Sequence, residues 1–374
     1  VLSDASVEQL RAAIHACLYD PNVDAVLVVL SALSTNDAEA AARAVVAESK
    51  PVYHKPVYAS WMGLQTVKTG RAILEEGKIP WFPFPERAVV TFMHMVRYRE
   101  NLELLHETPP DLPLELADIN RTGAKVIVDI VQKSGRIHFE ESEAKRLLAC
   151  YGIPVNVTFL AKTEDEAAAI ARSMGTAVAL KIESPDIWHK SEVHGVRLGI
   201  ETEFGTRQVF RFLMENVQKK RPDARLSGVT IEKMVDTQHE LLIGAIKDPT
   251  FGPVVLFGLG GVATDVWQDR AIGIPPLNLA LARHLVDGTR LARMLRGYKH
   301  LPAVPEDQLH NVLVRFAYLL MDFPEICEIE INPFSMSAGG GMALDAAITL
   351  EQTPSQQREP YEHLSIQPYP TQWI

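Results

Sequence analysis

The segment Glu328-Ile-Glu330-Ile-Asn332-Pro333 puts three polar side chains on one face of an extended run, because strand side chains alternate at period two. Ile329 and Ile331 take the other face. Carboxylate and carboxamide oxygens aimed at one cleft suit Mg²⁺, a hard cation held through oxygens and substrate phosphates. Asp345, on the next strand past the turn Gly339-Gly-Gly341, can add a carboxylate. The competing reading is an amphipathic edge strand whose acidic face meets water. A second segment, Ala179-Leu-Lys181-Ile, ends an apolar strand with a lysine, and burying a bare ammonium is costly. Lys181 then reaches either solvent or a cleft where it can hold a phosphate. His189 follows on a polar loop between Pro185 and Gly195. Most loop histidines are merely solvated, but a neutral imidazole with Lys190 and Ser191 beside it can act as a nucleophile toward phosphate. Two weaker signals complete the set. Glu232, in Ile231-Glu-Lys-Met234, also fits a sheet-edge charge. The turn Gly258-Leu-Gly-Gly261 after a strand can approach a phosphate closely.

Such residues need elements to position them. Residues 1–106 alternate helix and strand signals, beginning with an amphipathic helix over Val7–Tyr19 and a buried strand over Ala25–Leu30. A helix capped by Thr35 or Asn36 runs to Glu48. A strand over Pro51–Ala59, a helix over Val67–Glu76, a short strand at Ile79–Phe82 and a helix from Pro85 to Arg99 follow. This pattern predicts an α/β fold that opens with a small three-layer, flavodoxin-like or Rossmann-like domain. No Gly-x-Gly-x-x-Gly follows its first strand, so it does not read as a dinucleotide site. Residues 107–135, proline-rich at their start, read as a linker. Residues 136–230 and 231–352 read as two α+β subdomains. Their helices are expected at Ser142–Tyr151, Glu164–Met174, Arg207–Val217, Leu279–Leu295 and Glu306–Met321. Met342–Ile348 reads as the closing strand, and 353–374 as an extended tail leading to a missing domain.

With 374 residues, 47 % hydrophobic and 22 % charged, the composition is globular. The net charge of -10 argues against nucleic acid as a partner, since no basic stripe is present to hold it. Phosphate ligands stay open, because backbone amides and a lysine or two suffice for them. Cys17, Cys150 and Cys327 lie far apart, which gives neither a disulfide framework nor a zinc spacing and fits a reducing cytoplasm. No apolar run is long enough to span a bilayer, and the opening residues do not read as a signal peptide. The chain opens Val-Leu-Ser-Asp without Met and ends Tyr-Pro-Thr-Gln-Trp-Ile374, so both ends read as cuts in a larger polypeptide.

Taken in order, these segments resemble the ATP-grasp half of the NDP-forming (ADP-forming) acyl-CoA synthetase superfamily, which includes succinyl-CoA synthetase. The likeness runs through Glu143-Ala-Lys with Tyr151-Gly-Ile-Pro154, and through Lys181 with His189-Lys-Ser-Glu192. It continues with Ile231–Met234, the long stretch Glu240–Gly261, and Glu328–Pro333 with Asp345. Residues 1–106 resemble, more loosely, the second ligase-CoA domain of that superfamily. The resemblance implies an ATP-grasp fold, ATP or ADP with Mg²⁺ as cofactors, and CoA bound by domains absent here. It implies that Lys181 contacts phosphates, that Glu232 and Met234 lie at a hinge meeting adenine, and that Glu240 suits the ribose. Asn332 and Asp345 would be metal ligands, Glu330 would face a docked phosphohistidine, and His189 would be the mobile phosphohistidine. Departures are His194 for a usual glycine, Asp265 for glutamate and Gly273 for a frequent arginine.

The implied activity is interconversion of acyl-CoA, ADP and phosphate with acid, CoA and ATP through phosphohistidine, in a cytoplasmic enzyme that forms a homo-oligomer. Its implied partners are an N-terminal CoA-binding domain and a phosphohistidine domain. The tail from Tyr361 resembles the junction before a GNAT-type acetyltransferase domain in fused bacterial proteins. That leaves an alternative: a degenerate module that binds acyl-CoA or nucleotide and regulates a fused protein lysine acetyltransferase.

Overall fold

The apolar run Val26–Ser31 (β1) pairs in parallel with Val57–Met62 (β2), which pairs in parallel with the short Trp81–Phe82 (β3). Parallel neighbours need crossovers, and the helices Val7–Tyr19 (α1), Ala38–Glu48 (α2), Lys68–Glu76 (α3) and Pro85–His106 (α4) alternate with these strands. Val57, Ala59 and Trp61 of β2 pack with Ile14, Leu18 and Leu74 in one core. The cap of α2 is Asp37, whose carboxylate accepts the N–H groups of Glu39 and Ala40. Thr35 and Asn36, expected in that role, lie outside the described residues. The structure is a computed structural model, and it describes residues 5–31, 37–49, 54–63, 65–106, 118–187, 190–261 and 269–352. The chain divides into two compact units, Val1–Thr108 and Pro109–Ile374.

The second unit is built on two antiparallel sheets. Thr158–Ala161 (β4), Val178–Glu183 (β5), Val196–Ile200 (β6) and Gly228–Lys233 (β7) form a four-stranded sheet in the order β4-β7-β5-β6. Val178, Leu180 and Ile182 alternate with Ala179, Lys181 and Glu183 along β5. The first three join Val229 and Ile231 in a core shared with Glu164–Met174 (α7) and Glu203–Lys220 (α8). The even face of β5 is thus spent on packing, and Lys181 and Glu183 are left on the other.

His239–Asp248 (β8), Gly252–Leu259 (β9), Arg270–Gly273 (β10), Ile326–Ser337 (β11) and Gly340–Ala343 (β12) form the larger sheet, in the order β10-β9-β8-β11-β12. Ala346–Leu350 (β13) also pairs with β11. Ile329 and Ile331 point into its core. The pairing register of β11 slips between Ile331 and Phe334. At the slip, Asn332 N donates to Asp345 O at 3.2 Å and Leu344 N to Pro333 O at 3.0 Å. The bulge and the β12–β13 bend therefore hold each other.

Several boundaries differ from the sequence expectation. Residues 121–133, assigned to a linker, form a helix (α5) capped by Asn120, with Ala124, Ile127, Val128 and Val131 in the larger sheet's core. Helix Glu141–Cys150 (α6) joins the same core through Ala144, Leu147 and Leu148. A division at 230/231 falls inside β7, which continues to Lys233. The four-stranded body therefore spans 158–233, and the larger body takes elements from both sides of it. Leu279–Leu295 is two helices, Leu279–Asp287 (α9) and Ala292–Leu295 (α10), with Gly288 capping the first. Glu306–Asp322 is α11. The expected closing strand is split at Leu344 and Asp345, so Asp345 lies in a bend and not on a strand. Among the described residues, no helix is long and apolar enough to cross a membrane.

Candidate active site

Helix α6 brings two charges to the bare face of the small sheet. Glu141 and Lys145 are four residues apart, on the same side as Ala144 and Leu148. The Lys145 ammonium donates to Glu232 at 2.6 Å, and lies 2.7 Å from Glu141. Lys181 donates to Glu141 at 2.7 Å and to the Leu344 carbonyl at 2.6 Å, and stands 3.3 Å from Glu232. Lys190 pairs with Glu141 and donates to Glu183 at 3.3 Å. All six side chains are buried, Glu183 at 0 % and Glu232 at 1 % exposure. Remaining valences are filled by neutral groups. Thr158 Oγ1 donates to Glu232 at 2.9 Å, and Ser142 N donates to Glu183 at 3.1 Å.

Charge balance makes this burial possible, since isolated buried charges would neutralise themselves. Burial alone would raise the Glu141 carboxyl, but Lys181, Lys190 and Lys145 hold it well below the usual carboxylate range. Burial opposes the Lys181 ammonium too, yet Glu141, Asp345 and Glu232 raise its pKa above that of a free lysine. Lys190 is raised by Glu141, Glu183 and Asp345 against the same burial penalty. For Glu183 the balance tips the other way: desolvation lifts its pKa despite Lys190.

The expected site residues can now be placed. Lys181 is neither solvated nor unpartnered: it is an ion-paired member of the cluster, and its contact to Leu344 joins the two sheets. Asp345 adjoins that contact and acts on both Lys181 and Lys190. Asn332, bonded to Asp345 through the backbone, donates from Nδ2 to Glu330 at 3.0 Å and accepts Gly261 N–H at 2.8 Å. Gly261 has φ +72, where a Cβ would strike the Glu240 carboxylate, and Gly260 N donates to Glu240 O at 2.8 Å. Glu232, Lys181, Asp345, Asn332, Glu330 and Glu240 thus form one connected path across the two sheets. Met234 is exposed in the segment between β7 and β8, where its N–H donates to Ala177 O. Glu232 faces the ion cluster and not the open hinge. His189 and Asp265 lie outside the described residues. Among the described residues, no group of three His, Cys, Asp or Glu is arranged to hold a metal.

Sequence reasoning missed Glu141, Lys145 and Glu183. A signal existed, in that Glu141 and Lys145 interrupt the apolar stripe of α6, and Glu183 shares the Lys181 face of β5.

Residues 130–350 match the ATP-grasp domain family. The chain belongs to the ATP-grasp family. It is 36 % identical over 210 residues to the β subunit of ADP-forming acetate–CoA ligase I from Pyrococcus furiosus, covering 56 % of this chain and 90 % of that subunit. It is 33 % identical over 351 residues to ADP-forming acetate–CoA ligase I of Archaeoglobus fulgidus, covering 94 % of this chain. The chain spans about half the length of that relative (49 %). A solved dinucleotide-forming acetyl-coenzyme A synthetase 1 from Ca. Korarchaeum cryptofilum, in complex with coenzyme A, Ca-AMPCP and HgCl+, shares 33 % identity at a TM-score of 0.59. The match covers 61 % of this chain and all of that one (100 %). The ATP-grasp assignment and the homology to ADP-forming acetate–CoA ligases, given above as a resemblance, therefore hold.

Proposed function

We propose that this chain binds ATP or ADP with Mg²⁺ between the two sheets of its second unit and passes a phosphoryl group through His189, as the nucleotide half of an ADP-forming acyl-CoA ligase. The observation that carries this reading is the path from Lys181 through Leu344 and Asp345 to Asn332 and Glu330. It brings an ammonium of one sheet against oxygen donors of the other. The donor set fits the ligand. Mg²⁺ on a nucleotide needs only one or two protein oxygens beside phosphates and water, and Asp345 and Asn332 would supply them. When bound, the ion would neutralise charge on the transferring phosphoryl group. Lys181 would hold the phosphate, Glu232 would keep that ammonium charged, and Met234 and Glu240 would border the nucleoside. Glu330 would face the imidazole of His189 and orient it. Coenzyme A and the acyl group would be handled by domains beyond this chain, as parts of an oligomer with small-molecule substrates.

Calorimetry with ADP–Mg²⁺ tests the reading. Binding should be measurable, and Lys181→Met should weaken it by about 1.5–3 kcal/mol, the worth of a charge-assisted contact. No heat and no thermal shift at millimolar nucleotide, in a folded sample, would refute it.

A further inference from the structure

Lys145 and Lys181 share two carboxylates but are committed to them differently. The Lys145 ammonium meets three oxygens: Glu232 Oε1 at 2.6 Å, Glu141 Oε1 at 2.7 Å and Thr158 Oγ1 at 3.3 Å. An ammonium has three protons, so Lys145 is spent inside the cluster and cannot itself hold a ligand. Lys181 donates to Glu141 Oε1 at 2.7 Å and to Leu344 O at 2.6 Å, and among the described residues these are its two hydrogen bonds. Glu232 Oε2 stands 3.3 Å from it as an ion pair, so one Lys181 N–H is not committed. Glu232 is drawn elsewhere. Its Oε1 takes Lys145 and accepts from Thr158 Oγ1 at 2.9 Å, and its Oε2 accepts from Asn156 Nδ2 at 3.3 Å. One carboxylate thus lies 2.6 Å from the lysine of α6 and 3.3 Å from the lysine of β5.

Resting on the function proposed above, we propose that Lys145 is a positioning residue for phosphate binding. By holding the Glu232 carboxylate, it keeps that group from capturing the last N–H of Lys181, which stays available to a nucleotide phosphate. Glu141 and the Leu344 carbonyl fix the direction of the Lys181 ammonium, and Lys145 preserves its third donor. Without Lys145, Glu232 can close the gap to Lys181. An internal carboxylate then competes with the phosphate, and it does so without the entropy cost that an incoming ligand meets. A charge-assisted bond inside the protein replaces the one meant for the nucleotide.

The test measures ADP–Mg²⁺ by calorimetry and adenosine, which has no phosphate, by ligand-observed NMR, on the full chain. Lys145→Met should weaken ADP–Mg²⁺ by about 10-fold, the scale of one hydrogen bond to a charged group. Adenosine affinity should stay within about twofold, because the base and ribose do not meet Lys181. Lys145→Met/Glu232→Gln removes the competing carboxylate as well, and a buried pair can be replaced by neutral groups of similar shape. This double variant should recover ADP–Mg²⁺ affinity to within about threefold of wild type. Thr158→Val removes only the other bond on the same Glu232 oxygen and leaves every charge in place, so it should weaken ADP–Mg²⁺ in the same direction by about threefold. Wild type that binds no ADP–Mg²⁺ would overturn the functional reading and this inference with it. Wild type that binds, beside a folded Lys145→Met of equal affinity, would overturn the inference alone. So would an equal loss for adenosine, which would make Lys145 merely structural, or a double variant no better than the single. If Lys145→Met does not fold, wild-type affinity in Thr158→Val would overturn it.

Discussion

Replacing Lys145 by methionine tests the buried cluster directly, because methionine keeps the unbranched shape and deletes the charge. The lost contacts are Glu232 at 2.6 Å, Glu141 at 2.7 Å and Thr158 Oγ1 at 3.3 Å. Breaking a buried ion pair typically costs about 3–5 kcal/mol, mostly the penalty of an uncompensated charge. Here Glu141 retains Lys181 and Lys190, and Glu232 retains Lys181, Thr158 and Asn156. The expected loss is therefore at the lower end, about 3 kcal/mol. Adding Glu232→Gln restores neutrality, so the double variant should lie within about 1 kcal/mol of wild type, roughly 2 kcal/mol more stable than the single variant. Because the chain has two units, native-state hydrogen exchange at α6 and β7 amides is a cleaner readout than a global melt. A single-variant loss below about 1 kcal/mol, or a double variant less stable than the single, would show that the cluster is not the charge-balanced joint described here.

Three further outcomes are expected. Asp345→Asn should raise the Mg²⁺ concentration needed for nucleotide binding while leaving the ligand-free thermal midpoint nearly unchanged; unfolding of the free variant would make Asp345 structural. His194 sits at φ 55 on an exposed turn, where a side chain is strained, so His194→Gly should stabilise the chain by about 1 kcal/mol; an unchanged or lower midpoint refutes this. Asp186 is held at about 2 by its hydrogen bonds from the Arg225 side chain and backbone N–H. Its folded pKa is depressed, so its contribution to stability is present above the ordinary carboxylate range and lost as pH falls toward 2. Arg225→Gln should move the Asp186 carboxyl upward in an NMR titration, and no movement would refute the attribution.

Much of the local structure was legible in the sequence, for reasons of periodicity and end chemistry. The apolar 3.6-residue stripe of α1 and the alternation of Ile329 and Ile331 against Glu330 and Asn332 are properties of neighbouring residues. Such patterns place a side chain on a face without saying what that face meets. The family likeness was legible as well, because it rests on the order of segments. The partners of the site residues were not. Lys145 and Glu232 are 87 positions apart, and Lys181 meets Leu344 across 163. Those meetings depend on α6 docking into the core of the larger sheet while its charged edge lies over the smaller one. They also depend on the β11 register slip that brings Asn332 to the β12–β13 bend. A strand lysine beside apolar residues reads from sequence alone as either solvated or reaching for a ligand. Tertiary structure decided for a third state, buried and neutralised, because only the folded chain brings three carboxylates from a helix and two strands within reach of three ammonium groups.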